Sequence, residues 1–159
     1  MRIKNLMVED FVNYKKPSLF IGTCFCDWKC CRELNTDICM CQNSPAYETK
    51  IVNKHNKALV KKYVENSITE AIVFGGFEPI LQFDELIELI RCFREQTNDD
   101  IVVFTGYYEN EISDKIEELK KFPNIIVKFG RYKPGQEPHE DEVLGVNLAN
   151  SEQYAKRIS

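Results

Sequence analysis

Six of the chain's seven cysteines fall between Cys24 and Cys41, within eighteen residues. Core packing scatters thiols as small hydrophobes and does not concentrate them this way. Three readings compete for the cluster. A disulfide framework belongs to small secreted chains without a sufficient core. Here 159 residues with 43% hydrophobic content can bury one, the cysteine number is odd, and Met1-Arg2-Ile3-Lys4-Asn5 does not read as an export signal. Structural zinc modules usually show paired Cys-x-x-Cys turns. No such pair occurs; the spacings are Cys24-x-Cys26, Cys26-x3-Cys30, adjacent Cys30-Cys31 and Cys39-x-Cys41. An iron–sulfur cluster tolerates varied thiolate spacing. The cysteines alone leave all three open.

Charge and hydropathy narrow the class. With 21 basic and 25 acidic residues, the net charge of −4 offers no basic surplus for gripping nucleic acid. No apolar run approaches the roughly 20 residues of a membrane span, so a cytoplasmic protein is expected. His55, at the start of a helical segment, and His139, in a charged stretch, read as solvated, and Cys92 reads as a buried hydrophobe inside a helix.

The remainder predicts a single α/β domain over residues 1–159. Leu19-Phe20-Ile21, Ala71-Ile72-Val73-Phe74, Ile101-Val102-Val103-Phe104 and Ile125-Ile126-Val127 are short, continuous apolar runs. They read as strands of a parallel sheet buried on both faces. Between them, Phe83, Leu86, Ile87, Ile90 and Phe93 recur at helical spacing, as do Ile112, Ile116 and Leu119. A weaker stripe joins Leu59, Val60, Tyr63 and Val64. Val143 to Val146 reads as a last strand, residues 132–142 as a surface loop, and the stretch around Ile3 to Phe11 as a further strand. Each of the four main runs ends in small or polar residues, namely Thr23-Cys24, Gly75-Gly76, Thr105-Gly106 and Gly130. Ligands of parallel α/β folds bind outside the carboxyl ends of the strands, so the cysteines and these turns are expected on one face.

At these residues the chain resembles a known family. Gly75-Gly76-Phe77-Glu78-Pro79 is similar to the GGEP element of radical S-adenosylmethionine (SAM) enzymes, with one residue inserted. Cys26-Asp27-Trp28-Lys29-Cys30 matches the first two cysteines of their CxxxCxxC signature, whereas Glu33 stands where the third belongs. Cys41-Gln42-Asn43-Ser44-Pro45 resembles the third-cysteine segment of the branch that activates anaerobic ribonucleotide reductase, displaced by an insertion of about eight residues. The segment Glu9-Asp10-Phe11-Val12, the strand end Phe104-Thr105-Gly106-Tyr107 and, faintly, residues 148–158 extend the resemblance over nearly the whole chain.

The resemblance implies an incomplete (β/α) barrel of parallel strands with a cluster-binding loop at about 24–45. It implies a [4Fe–4S] cluster on Cys26, Cys30 and Cys41, with Cys24 as the rival ligand. It places SAM against Gly75, Gly76, Glu78, Met40, Thr105 and Tyr107. Glu78 has a second reading, as an acid at a helix N-terminus. The implied activity is reductive cleavage of SAM to a 5′-deoxyadenosyl radical, fed by an external donor such as flavodoxin or ferredoxin. That radical generates a glycyl radical on a partner, the large subunit of anaerobic ribonucleotide reductase. Two alternatives stand beside it: a radical SAM enzyme with another substrate, and a non-catalytic iron–sulfur or zinc module that regulates a partner.

Overall fold

In the computed structural model, which describes residues 1–159, the four β-branched runs pair as neighbouring parallel strands. In chain order the elements are β1 (Arg2–Ile3), β2 (Asn5–Asp10), β3 (Ser18–Thr23), α1 (Lys29–Glu33), β4 (Val52–Asn53), α2 (Asn56–Val64) and β5 (Ala71–Gly76). They continue with α3 (Phe83–Arg94), β6 (Asp100–Phe104), α4 (Ser113–Leu119), β7 (Ile125–Phe129), β8 (His139–Asp141), β9 (Val146–Leu148) and β10 (Tyr154–Arg157). The main sheet has the order β10-β7-β6-β5-β3-β2, and its two edge strands run antiparallel to their neighbours.

The strands β3, β5, β6 and β7 are added in one direction across the sheet. Right-handed crossovers then place every connecting helix on the same face. The packing shows this. Leu59 and Tyr63 of α2, Leu86, Ile90 and Phe93 of α3, and Ile116 and Leu119 of α4 share one core with Ile21, Phe74, Val103 and Val127. Each such side chain stabilises by roughly 1.5–3 kcal/mol on burial. Acids in the first turn of α3 (Asp84, Glu85) and arginines in its last (Arg91, Arg94) suit the helix dipole. Val64, assigned to the α2 stripe from sequence, is 56% exposed, because the helix presents Leu59, Val60 and Tyr63 to the sheet.

The opposite face carries no helix. Phe20, Val73, Val102 and Ile126 pack there against Tyr14, Leu144 and Leu148. Leu144 and Leu148 come from a β8–β9 hairpin that the sequence reading divided differently. The expected strand at 143–146 is mostly turn, and the expected loop holds β8. Asp141 decides this: its carboxylate accepts from Leu144 N at 2.8 Å and Ala155 N at 2.8 Å, and Gly145 takes a positive φ of 67°. His139 consequently sits half-buried on β8 rather than in solvent, while His55 is exposed.

At the amino end of β6, Asp100 accepts hydrogen bonds from Tyr14 (3.0 Å), Lys16 (2.8 Å) and Arg157 (2.7 Å). Burial pushes its pKa up, but these three donors outweigh burial and hold it below the ordinary 3.8. A depressed carboxyl contributes stability that is complete above the unfolded-state pKa and fades as the pH falls through the folded-state value. Asp100→Asn is therefore expected to cost about 2 kcal/mol in urea unfolding at pH 7. The difference from the parent chain should shrink on acidification below the usual aspartate pKa of about 3.9; a pH-independent difference would assign the effect to shape rather than charge.

Candidate metal centre

The cysteine segment leaves the sheet at the carboxyl end of β3, where Thr23 Oγ1 donates to Gly75 O (3.0 Å) and ties β3 to β5. Glu78 N donates to Phe25 O at 2.8 Å, so the Gly-Gly-Phe-Glu-Pro turn also holds the start of the segment. Trp28, in the left-handed region at φ 56°, turns the chain into α1, which carries Cys30 and Cys31. The Asp37 carboxylate accepts from Cys39 N (2.8 Å) and opens a short turn over Ile38–Met40 that delivers Cys41.

This path brings Cys26, Cys30 and Cys41 to one cavity of about 140 Å³, shared with Gly76, Glu78 and Thr105. Phe20, Phe104 and Lys128 line it from the helix-free face of the sheet. Two clefts of about 210 and 350 Å³ share walls with it, at Asn13, Phe104 and Gln153, and at Asn13, Phe20 and Gly76.

Cys30 sits tightly. It lines the cavity beside Tyr132, and a Cβ added at Gly106 would lie 3.1 Å from its Sγ. A side chain at Gly106 would press on the Cys30 sulfur and require it to shift. Burial pushes the Cys26 thiol up to about 12 and raises Cys30 and Cys41. Buried thiols of this kind stay protonated until a cation claims the thiolate, so metal binding here expels protons.

Glu78 is 5% exposed, and its carboxylate accepts from Thr105 Oγ1 (2.8 Å), Gly106 N (2.9 Å) and Ile80 N (3.1 Å). Burial raises its pKa and the three donors pull it back, leaving it about 7. It does cap the turn over Pro79–Gln82, and it also locks the end of β5 to the end of β6. Lys128 is 7% exposed, burial lowers its pKa to about 8, and its ammonium donates to Gly130 O at 3.2 Å.

The inserted Phe77 has a packing role. Trp28 meets it edge-on at 5.4 Å and meets Tyr47 at 5.9 Å. The Lys4 ammonium lies over Phe77 (5.0 Å) and Tyr47 (5.3 Å) and donates to the carbonyls of Ala46 and Tyr47. This stack fastens the segment that follows Cys41 to the sheet.

Three of the expected cofactor contacts lie outside the cavity. Met40 is 46% exposed on the short turn. Gly75 is buried behind Phe20, with its carbonyl taken by Thr23. The Tyr107 hydroxyl donates to Asp27 Oδ2 at 3.1 Å, and its ring lies under Lys29 and Arg131. Cys24 is also outside: its thiol is buried near the charges of Glu85, Arg2 and Lys4. Lys128 and Arg131 were missed from sequence. The signal for Lys128 was a lysine in register with Ile126 within a buried strand.

No three Cys, His, Asp or Glu side chains converge closely enough to hold one metal ion. Three thiols border one cavity, and thiolates are the donors that iron–sulfur clusters take. No helix is long and apolar enough to cross a membrane. A family model described as a 4Fe-4S single cluster domain matches residues 15–150, a span that holds the cysteine segment and the carboxyl ends of all four parallel strands. No curated protein and no solved structure matches the chain.

Proposed function

This chain belongs to the 4Fe-4S single cluster domain family, and from that premise we propose that it is a radical SAM enzyme of the glycyl-radical activating type. The observation that carries the reading is the meeting of Cys26, Cys30 and Cys41 with Gly76, Glu78 and Thr105 in one cavity at the carboxyl ends of parallel strands. Three protein thiolates leave one iron of a [4Fe–4S] cluster open to a ligand, whereas four would close it into an electron carrier. When bound, such a cluster would supply the electron for reductive cleavage of the sulfonium C–S bond of SAM to methionine and a 5′-deoxyadenosyl radical.

The chain's own residues bind, orient and exclude water. Cys26, Cys30 and Cys41 would hold the cluster. Lys128 is assigned to the carboxylate of SAM, because a buried ammonium has three donors and Gly130 O takes one. The backbone carbonyls of Gly76 and Glu78 are assigned to its amino group, since the Glu78 carboxylate already receives three donors. Phe20, Phe104, Asn13 and Gln153 border the clefts that give room for the adenosine part. Helices confined to one face of strands added in one direction support reading the sheet as an incomplete (β/α) barrel. Phe11 and Val12, 61% and 71% exposed beside the cavity-lining Asn13, support a protein substrate carrying the glycine, such as the large subunit of anaerobic ribonucleotide reductase. The electron would come from a cytoplasmic flavodoxin or ferredoxin.

Anaerobic reconstitution is expected to load about four irons per chain. Dithionite and SAM should then release 5′-deoxyadenosine and methionine. A fully loaded sample that releases neither overturns the proposal. It would favour a cluster-binding module without SAM chemistry, the reading that the positions of Met40 and Tyr107 outside the cavity favour.

A further inference from the structure

We propose that Arg131 is the positioning residue of the cysteine centre, holding α1, and with it Cys30, against the ends of β6 and β7; this rests on the cluster reading of the cavity. The Arg131 side chain is 3% exposed. Its Nε and Nη2 grip Glu33 in a fork at 2.8 and 3.0 Å, Nη2 also reaches Glu111 at 2.7 Å, and Nη1 donates to Gly106 O. Glu33 ends α1, Glu111 lies on the turn after β6, and Gly106 follows β6. One guanidinium thus ties α1 and the connection after β6 to its own position after β7, and forked, charge-assisted pairs of this kind fix orientation as well as distance. Its planar group also lies 4.9 Å from the Tyr108 ring centroid.

The grip is transmitted to the thiol. Arg131 O accepts from the fully buried Asn150 at 2.9 Å, which anchors the backbone. The next residue, Tyr132, lines the cavity beside Cys30, and Gly106, whose carbonyl Arg131 holds, flanks the Cys30 sulfur. The groups that seat Cys30 therefore adjoin the groups that Arg131 holds. Glu33 gains a role from this. At the position where the resembled signature has its third cysteine, this chain places the anchor of α1, and a cavity-lining thiol comes instead from Cys41.

The test uses the full metal-free chain under reducing conditions. Iodoacetamide labelling is followed by mass spectrometry, with Cys30 resolved from Cys31 by fragment masses and Cys92, between α2 and α3, as the internal reference. Arg131→Met and Glu33→Gln are each expected to speed Cys30 labelling about tenfold by easing local opening, with Cys92 unchanged. An unchanged Cys30 rate overturns the proposal, and so does an equal rise at Cys92, which would mark Arg131 as a residue of general stability. If Arg131→Met fails to fold, Glu33→Gln decides alone, because Glu33 lies at the surface. The labelling contains no SAM, so its failure and the absence of 5′-deoxyadenosine from a loaded sample are separate results.

Discussion

Replacing Cys26, Cys30 or Cys41 by alanine is expected to strip the chain of its cluster, each alone. The three thiols are the ones that line the cavity, and no other Cys or His lines it. Losing one of three thiolates leaves two irons without a protein ligand, which is too little to hold the cluster on the chain. Iron after anaerobic reconstitution should fall from about four per chain to near none, with loss of the brown absorbance. Cys31→Ala and Cys39→Ala should keep the iron, since Cys31 is buried outside the cavity and Cys39 is exposed on the turn before Cys41. Cys24→Ala should keep it as well, because that thiol is buried and does not line the cavity. Iron retained in Cys41→Ala and lost in Cys31→Ala would refute the ligand assignment.

The second large effect is expected at Glu78. All three of its partners, Ile80 N, Thr105 Oγ1 and Gly106 N, are donors to one buried carboxylate. Glu78→Ala leaves these donors without an acceptor, at a cost of about 3 kcal/mol or more. Glu78→Gln keeps the size, but if its oxygen serves Ile80 and Thr105, its amide nitrogen faces the Gly106 N–H, donor against donor. A cost of about 2 kcal/mol is expected, more than an isosteric change at an exposed site produces. Urea unfolding of the metal-free chain reads the stability, and iron uptake reads the site. Both variants should lose iron affinity, because Gly106, which flanks the Cys30 sulfur, is held by this carboxylate. Parent-like stability in both variants would show that the β5 and β6 ends are joined without it.

Much of this was legible in the chain itself. Continuous apolar runs such as Ala71-Ile72-Val73-Phe74 announce strands buried on both faces, and the Ile112, Ile116, Leu119 spacing announces a helix lying on them. The six clustered cysteines left disulfides, zinc and an iron–sulfur cluster open until the resemblance pointed to a cluster, and their position after a strand end placed them at the carboxyl edge. The hairpin was not legible, because Asp141 and Gly145 act through hydrogen bonds and a backbone conformation that leave no periodic trace. Nor were the aromatic stack of Trp28, Phe77 and Tyr47 and the forked Arg131, whose partners stand far apart in the chain.

Local pattern by itself determined that this protein is an α/β domain with a thiol-rich loop at the edge of a parallel sheet. Periodicity and residue type govern which segments become strands and helices, and both are local. The resemblance had named Cys26, Cys30 and Cys41; only the tertiary structure brought these three to one cavity, left Cys24 outside it, and buried Lys128 and Glu78 beside them. Convergence depends on strand order, on the one-sided helices and on contacts such as Arg131 with Glu33, which are set by packing between distant segments.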